Sequence, residues 1–256
     1  MSRVTTALAA LALLLPAAAS AQMLLSTNSE VRFQFDLQVP DEALKAALPA
    51  GFTSFVATQG PAKDCNLRVV FIDNVTVNGT DNNPVGKGSN RLVYLVAPVK
   101  NAAGESVQIV LGGLTDDPAD APGPFSNYLL ATTHEMRRTS AAPAASGPVL
   151  DTQDWNFTAK TGEHMELHIK YERGNSTLRP YADVKFYSAK NPTDYQISHQ
   201  TMVLDILKNT TTNPPDKVKE FSLKVSGGSF DKLIGGPLKV LSWDNILWLN
   251  RTVSKP

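Results

Sequence analysis

The chain has one cysteine, Cys65, in 256 residues, so it cannot close a disulfide on itself. A secreted chain without such staples needs a core large enough to stand alone. Cys65 itself reads as a buried small hydrophobe, because nothing local supplies the positioned histidine or electropositive pocket of a nucleophilic thiol. Charge of one sign is equally scarce. The 24 basic and 24 acidic residues cancel, and no Lys/Arg run stands out, so neither nucleic acid nor an anionic membrane is an expected partner. No apolar run reaches the about 20 residues of a membrane-spanning helix. There is no Gly-x-Ser-x-Gly elbow, and Gly86-Lys87-Gly88-Ser89 is a lysine-bearing turn rather than a phosphate loop or dinucleotide fingerprint. No cofactor is expected.

What is present begins with a leader pattern. Arg3 supplies a positive start, Ala7 to Leu15 an apolar stretch, and Ala19-Ser20-Ala21 a small-x-small cleavage site. The expectation is a signal peptide over 1–21 and a single mature domain over 22–256. Asn-x-Ser/Thr sequons stand at Asn74, Asn78, Asn156, Asn175, Asn209 and Asn250. Together with the leader they point to a eukaryotic secretory pathway, an extracellular location and glycans on exposed turns. Turn-like surroundings favour Asn78, Asn175 and Asn209, and disfavour Asn250.

Hydrophobic periodicity supplies the fold class. Val31 to Leu37 alternates apolar and polar, as a half-buried strand does. Pro40 to Pro49 reads as a short helix, opened by proline, acidic in its first turn and closed by proline. Further strands are predicted at Leu67–Val77, Arg91–Val99, Ser106–Leu111, Tyr128–Met136, Trp155–Lys160, His164–Glu172, Ala182–Ser188 and Phe221–Val225. Thr201–Leu207 fits a helical turn or a strand. Leu238–Leu249 is apolar on both faces, with Trp243 and Trp248, and is predicted to be a central strand. Many strands, few helices and short turns make this a mainly β chain, a single antiparallel barrel or sandwich. His164-Met165-Glu166-Leu167-His168 would share a metal on a helix. Its period of two makes it a strand instead, with the imidazoles about 13 Å apart, so no metal site is expected. His199 reads as a loop or surface residue.

The order of several landmarks resembles that of acetoacetate decarboxylase-like proteins. Ala43 to Phe52 is similar to their early helix and Leu-Pro turn, Leu95-Val96-Ala97-Pro98-Val99 to their x-Pro-Val strand, and Gly236 to Leu241 to their closing Pro-Leu strand. Pro122 to Ala131 falls where they carry a Gly-aromatic-Pro-Lys-Lys-Leu segment. The resemblance spans most of the mature chain and implies a cone-shaped, barrel-like sheet with an internal cavity. It also implies a lysine pair, the first forming a Schiff base whose pKa the second lowers. Those slots fall on Asn127 and Tyr128, and no residue from Gly123 to Arg138 is lysine. The family's glutamate positions fall near Leu92 and Val70 and its early arginine near Asn28 or Ser29, so the Schiff-base mechanism does not carry over.

The strand after Pro124 offers two sets of side chains to such a cavity. One is Asn127, Leu129, Ala131, Thr133, Glu135 and Arg137, suited to binding an acid. The other is Tyr128, Leu130, Thr132, His134, Met136 and Arg138, which brings a phenol and an imidazole for proton transfer. The first set is favoured because it matches the aligned slot. Asn127, Glu135 and Arg137, with Arg91 beside the family's glutamate position, are the candidate ligand-binding residues, and His134 and Tyr128 the candidate catalytic ones. The expected function is binding, with or without chemical modification, of a small organic acid or apolar metabolite in the cavity. The alternative is a non-catalytic extracellular binding protein. A lyase-like activity is implied by fold analogy alone, and self-association is left open.

Overall fold

The computed structural model describes residues 22–118, 127–142, 147–211 and 216–256. In chain order the elements are β1 (Met23–Gln38), α1 (Asp41–Ala47), β2 (Thr53–Ser54), β3 (Leu67–Asn78), β4 (Asn90–Lys100), β5 (Ser106–Thr115) and β6 (Tyr128–Ala141). There follow β7 (Leu150–Ala159), β8 (His164–Glu172), β9 (Thr177–Ser188), β10 (Tyr195–Lys208), β11 (Val218–Ser226), α2 (Gly228–Ile234) and β12 (Lys239–Lys255). In α1, Pro40 sits before Asp41 and Glu42, and Leu48, the residue before Pro49, is extended, which ends the helix. Thr201–Leu207 lies within β10 and is strand throughout.

Seven strands close a hydrogen-bonded ring: β1 pairs with β3, β3 with β4, β4 with β5, β5 with β9, β9 with β10, β10 with β12, and β12 with β1. All these pairings are antiparallel except the β5–β9 seam, which is parallel from Gln108↔Phe186 to Val110↔Ser188. Closure leaves the ring strands without free edges. The final strand is central, as its two apolar faces predicted. Trp243 is buried, whereas Trp248 is 42% exposed.

The upper part of β5 forks away to pair in parallel with β6, from Gly113↔Tyr128 to Thr115↔Leu130. β6, β7, β8 and β11 then form an antiparallel wing. Glycine makes the fork feasible. A Cβ at Gly113 would lie 2.4 Å from both the Val93 carbonyl oxygen and the Tyr128 ring.

The main core lies between the wing and one outer side of the ring. Phe33, Phe35, Leu37, Phe71, Val93 and Leu95 from the ring meet Trp155, Phe157, Leu167 and Tyr171 from the wing. Phe35, Phe221 and Trp243 form an aromatic trio with centroids 4.7–5.7 Å apart. Each fully buried side chain of this core, such as Phe35 or Phe71, contributes about 1.5–3 kcal/mol of apolar burial. The apolar half of β1 is therefore used on the outside of the ring, which turns its polar half inward.

Candidate ligand-binding site

Alternation along β1 places Asn28, Glu30, Arg32, Gln34 and Asp36 on the inner face of the ring, at 0%, 1%, 5%, 8% and 4% exposure. Buried charges need partners, and β1 itself and its neighbouring strands provide them. Arg32 forks onto Glu30 with two bonds of 2.8 Å. From β3, Arg68 forks onto Asp36 at 2.7 and 3.0 Å. From β12, the Ser242 hydroxyl donates to Asp36 at 2.6 Å, and the Gln34 amide donates to Asp244 at 3.1 Å.

A cavity of about 220 Å³ lies among these groups. Its polar lining includes Arg32, Arg68, Asp36, Asp244 and Arg179; its apolar lining includes Val70, Val96, Phe186, Met202 and Leu204. A second cleft of about 430 Å³ shares Asp36, Ala62, Arg68, Gln108 and Val184 with it and carries Cys65, Glu105, Asp183 and Lys185 on its other walls. The inner cavity and the wider cleft thus lie on either side of a common wall. Among the described residues the inner lining holds three arginines and no lysine.

The electrostatics are uneven. Burial, and then the neighbouring Asp36 carboxylate, push the Asp244 carboxyl up to about 6, against the pull of Arg68, the Gln34 amide and Arg179. Asp244 can therefore exchange a proton near neutral pH. Burial and then Asp244 raise Tyr181, also on the cavity wall. Burial pushes the Cys65 thiol up to about 12, with the Asp36 carboxylate next in effect. Arg32 and Arg68 are committed to Glu30 and Asp36, while Arg179 bonds Thr177 at 3.2 Å and forms no ion pair with a carboxylate among the described residues. It is the cavity cation most open to an incoming acid.

The residues singled out from sequence are dispersed. Tyr128 is buried in a ring-interior cluster with Val70, Leu92 and Tyr94. Asn127 is half-buried and donates its amide to the Val110 carbonyl at 2.9 Å. Leu129 and Ala131 pack on the main core. Between Ala131 and Thr133 the register with β7 shifts, and beyond that bulge Met136 packs on the core while Glu135 and Arg137 are exposed on the wing. A single alternation therefore does not run the length of β6. Arg91 and His134 do meet, Arg91 Nη1 donating to the His134 carbonyl at 3.3 Å. Arg91 also bonds Asp73 at 3.0 Å, and His134 Nδ1 lies 4.0 Å from Asp116. None of these four lines the cavity.

His164 and His168 lie on the polar side of β8, bonded to Thr158 at 3.0 Å and Asp154 at 2.6 Å, and His199 is paired with Asp183 at 2.7 Å. Of the sequon asparagines, Asn175 and Asn250 are exposed, Asn78 and Asn156 intermediate, and Asn74 and Asn209 buried. Asn74 donates to Asn90 at 2.7 Å.

Comparison with solved structures gives the same architecture. The chain is similar to the enduracididine biosynthesis enzyme MppR with HEPES buffer bound, at TM-score 0.56 and 13% identity over 94% of this chain and 89% of that one. It is similar to MppR complexed with the condensation product of pyruvate and imidazole 4-carboxaldehyde at TM-score 0.56 and 13% identity, over 93% and 90%. An acetoacetate decarboxylase-like enzyme from Sphingomonas wittichii RW1 matches at TM-score 0.51 and 12% identity, over 96% of each chain. No family model and no curated protein sequence matches the chain. From the closed ring, its wing and these likenesses, the chain has the fold of the acetoacetate decarboxylase-like superfamily.

Proposed function

We propose that the protein binds a small organic acid in the ring cavity without forming a lysine Schiff base. Arg179 receives the carboxylate, and Asp244 faces the bound molecule as a group that exchanges a proton near pH 6. The observation that carries this reading is the cavity lining itself: three arginines, two carboxylates and an apolar wall around a space of about 220 Å³. Such a mixture of apolar surface and a few convergent polar groups suits a small-molecule site. A pyruvate condensation product is the ligand of one MppR complex, which makes pyruvate a fitting probe. Calorimetric titration with pyruvate should show saturable binding, and borohydride added to the saturated protein should leave its intact mass unchanged. Absence of binding would refute the acid site, and a stoichiometric reduced adduct would refute the non-covalent mode. Asp244 favours proton-transfer chemistry on the bound acid, whereas binding without turnover would leave the non-catalytic reading.

We also propose that the chain is secreted after cleavage following Ala21 and carries glycans on its exposed sequons, Asn175 and Asn250 first. The leader pattern and the number of sequons support this. Native protein should begin at Gln22 and shift on a gel after endoglycosidase treatment; an intact Met1 and no shift would overturn it.

A further inference from the structure

The region of the ring around Arg251, a residue that does not line the proposed acid site, carries a charge imbalance. Asp244 and Arg251 are seven positions apart on β12, about 23 Å at about 3.3 Å per residue. Arg251 and Arg32 are each 5% exposed and Glu30 1%. Arg32 engages both oxygens of Glu30, at 2.8 Å each. Arg251 Nε lies 3.3 Å from Glu30 Oε1 without making a hydrogen bond. With the Asn28 amide turned so that its oxygen faces Arg251, that oxygen accepts from Nη2 at 3.1 Å. The other titratable groups acting on Arg251 are the phenols Tyr94 and Tyr128. Burial, then Tyr94, raises the Tyr128 phenol well above its usual range, so it supplies no negative charge near neutral pH. Two guanidiniums thus stand against one carboxylate in a closed interior.

An unneutralised buried charge is strongly unfavourable. Beside Arg251 is a void of about 20 Å³, lined by Leu92, Tyr94, Tyr128, Gln196, Ser198 and Arg251 among others. It is large enough for about one water-sized sphere. The lining offers a guanidinium, hydroxyls and the Gln196 amide. The amide oxygen of Gln196 is buried and has no hydrogen-bond partner, so turning the amide would direct its NH₂ group as a donor. We propose that this void is a binding site for a monovalent anion of the size of chloride, with Arg251 as its counter-cation. The site shares Tyr94 and Phe186 with the wall of the acid cavity but is centred on Arg251, which does not line that cavity.

Full-length protein prepared in gluconate should be titrated with chloride at constant ionic strength and its thermal midpoint followed. Chloride should raise the midpoint by on the order of 3 °C for each tenfold beyond the dissociation constant, and gluconate should not. Arg251→Gln removes the excess charge, leaves Arg32 paired with Glu30, and should abolish the chloride response. Equal midpoints in the two salts, or an unchanged response in the variant, would overturn the proposal. If Arg251→Gln does not fold, excess ³⁵Cl line broadening by the wild-type protein that Gln196→Leu reduces supports the site. Broadening at the level of a non-binding control protein, or broadening unaffected by Gln196→Leu, refutes it.

Discussion

A carboxylate facing the inside of a closed strand ring can be neutralised by a cation or by a proton, and the two aspartates of the cavity differ in which they use. Asp36 has the Arg68 fork and the Ser242 hydroxyl. Asp244 has one amide donor and a neighbouring carboxylate, and its carboxyl rises to about 6. A raised value means that the fold favours the neutral form. That contribution is fully present below the ordinary carboxylate range and is lost as pH rises through about 6. Asp244→Asn, which cannot ionise, should therefore be more stable than wild type by up to about 3 kcal/mol at pH 8. The gain should shrink below pH 6 and vanish near pH 4. Thermal or urea unfolding across that range checks it; a pH-independent difference would mean that Asp244 titrates in the ordinary range. None of this was legible in the local sequence around Asp244, because the residues that shift it come from β1, β3 and β9.

Among the elements, most of the strands were readable and their partners were not. The period of two in Val31–Leu37 correctly grouped Phe33, Phe35 and Leu37 on one face. Periodicity does not say whether the other face meets solvent or the inside of a ring, so the buried row from Asn28 to Asp36 escaped notice. Its signal was present as charged residues alternating with large aromatics in a strand long enough to run the height of the ring. In β6 the alternation is reset by the bulge after Ala131, which no residue type there announces. The helix α2 was missed although Phe230, Leu233 and Ile234 share one helical face. The strand expected to stop at Leu111 continues through Gly112 and Gly113 to Thr115, because these glycines permit close backbone approach rather than a turn. Gly113→Ala should thus destabilise the fold by at least about 2 kcal/mol, since backbone as well as the Tyr128 ring must move. A chemical-denaturation midpoint close to wild type would show that the β5 fork is looser than these contacts imply.

At the scale of the whole molecule, the site is a product of closure. Its lining comes from β1, β3, β4, β5, β9, β10 and β12, from Arg32 to Asp244 in the chain. No short motif encodes such a site, which is why attention to the single strand at Tyr128–Arg138 found only Tyr128 inside the ring. The resemblance of scattered landmarks pointed to the right fold because landmark order reflects topology; it could not supply the residues that line the cavity. In the proposed binding mode, ligand meets the inner face of the ring and not the wing. Pyruvate affinity measured in parallel for Arg179→Ala, on the cavity wall, and Arg137→Ala, on the exposed wing, distinguishes the two. A lost carboxylate contact should weaken binding by about 1.5–3 kcal/mol, or roughly 10- to 100-fold, in Arg179→Ala, with Arg137→Ala unchanged. Unchanged affinity in Arg179→Ala, with a large loss in Arg137→Ala, would contradict it and move the site to the wing.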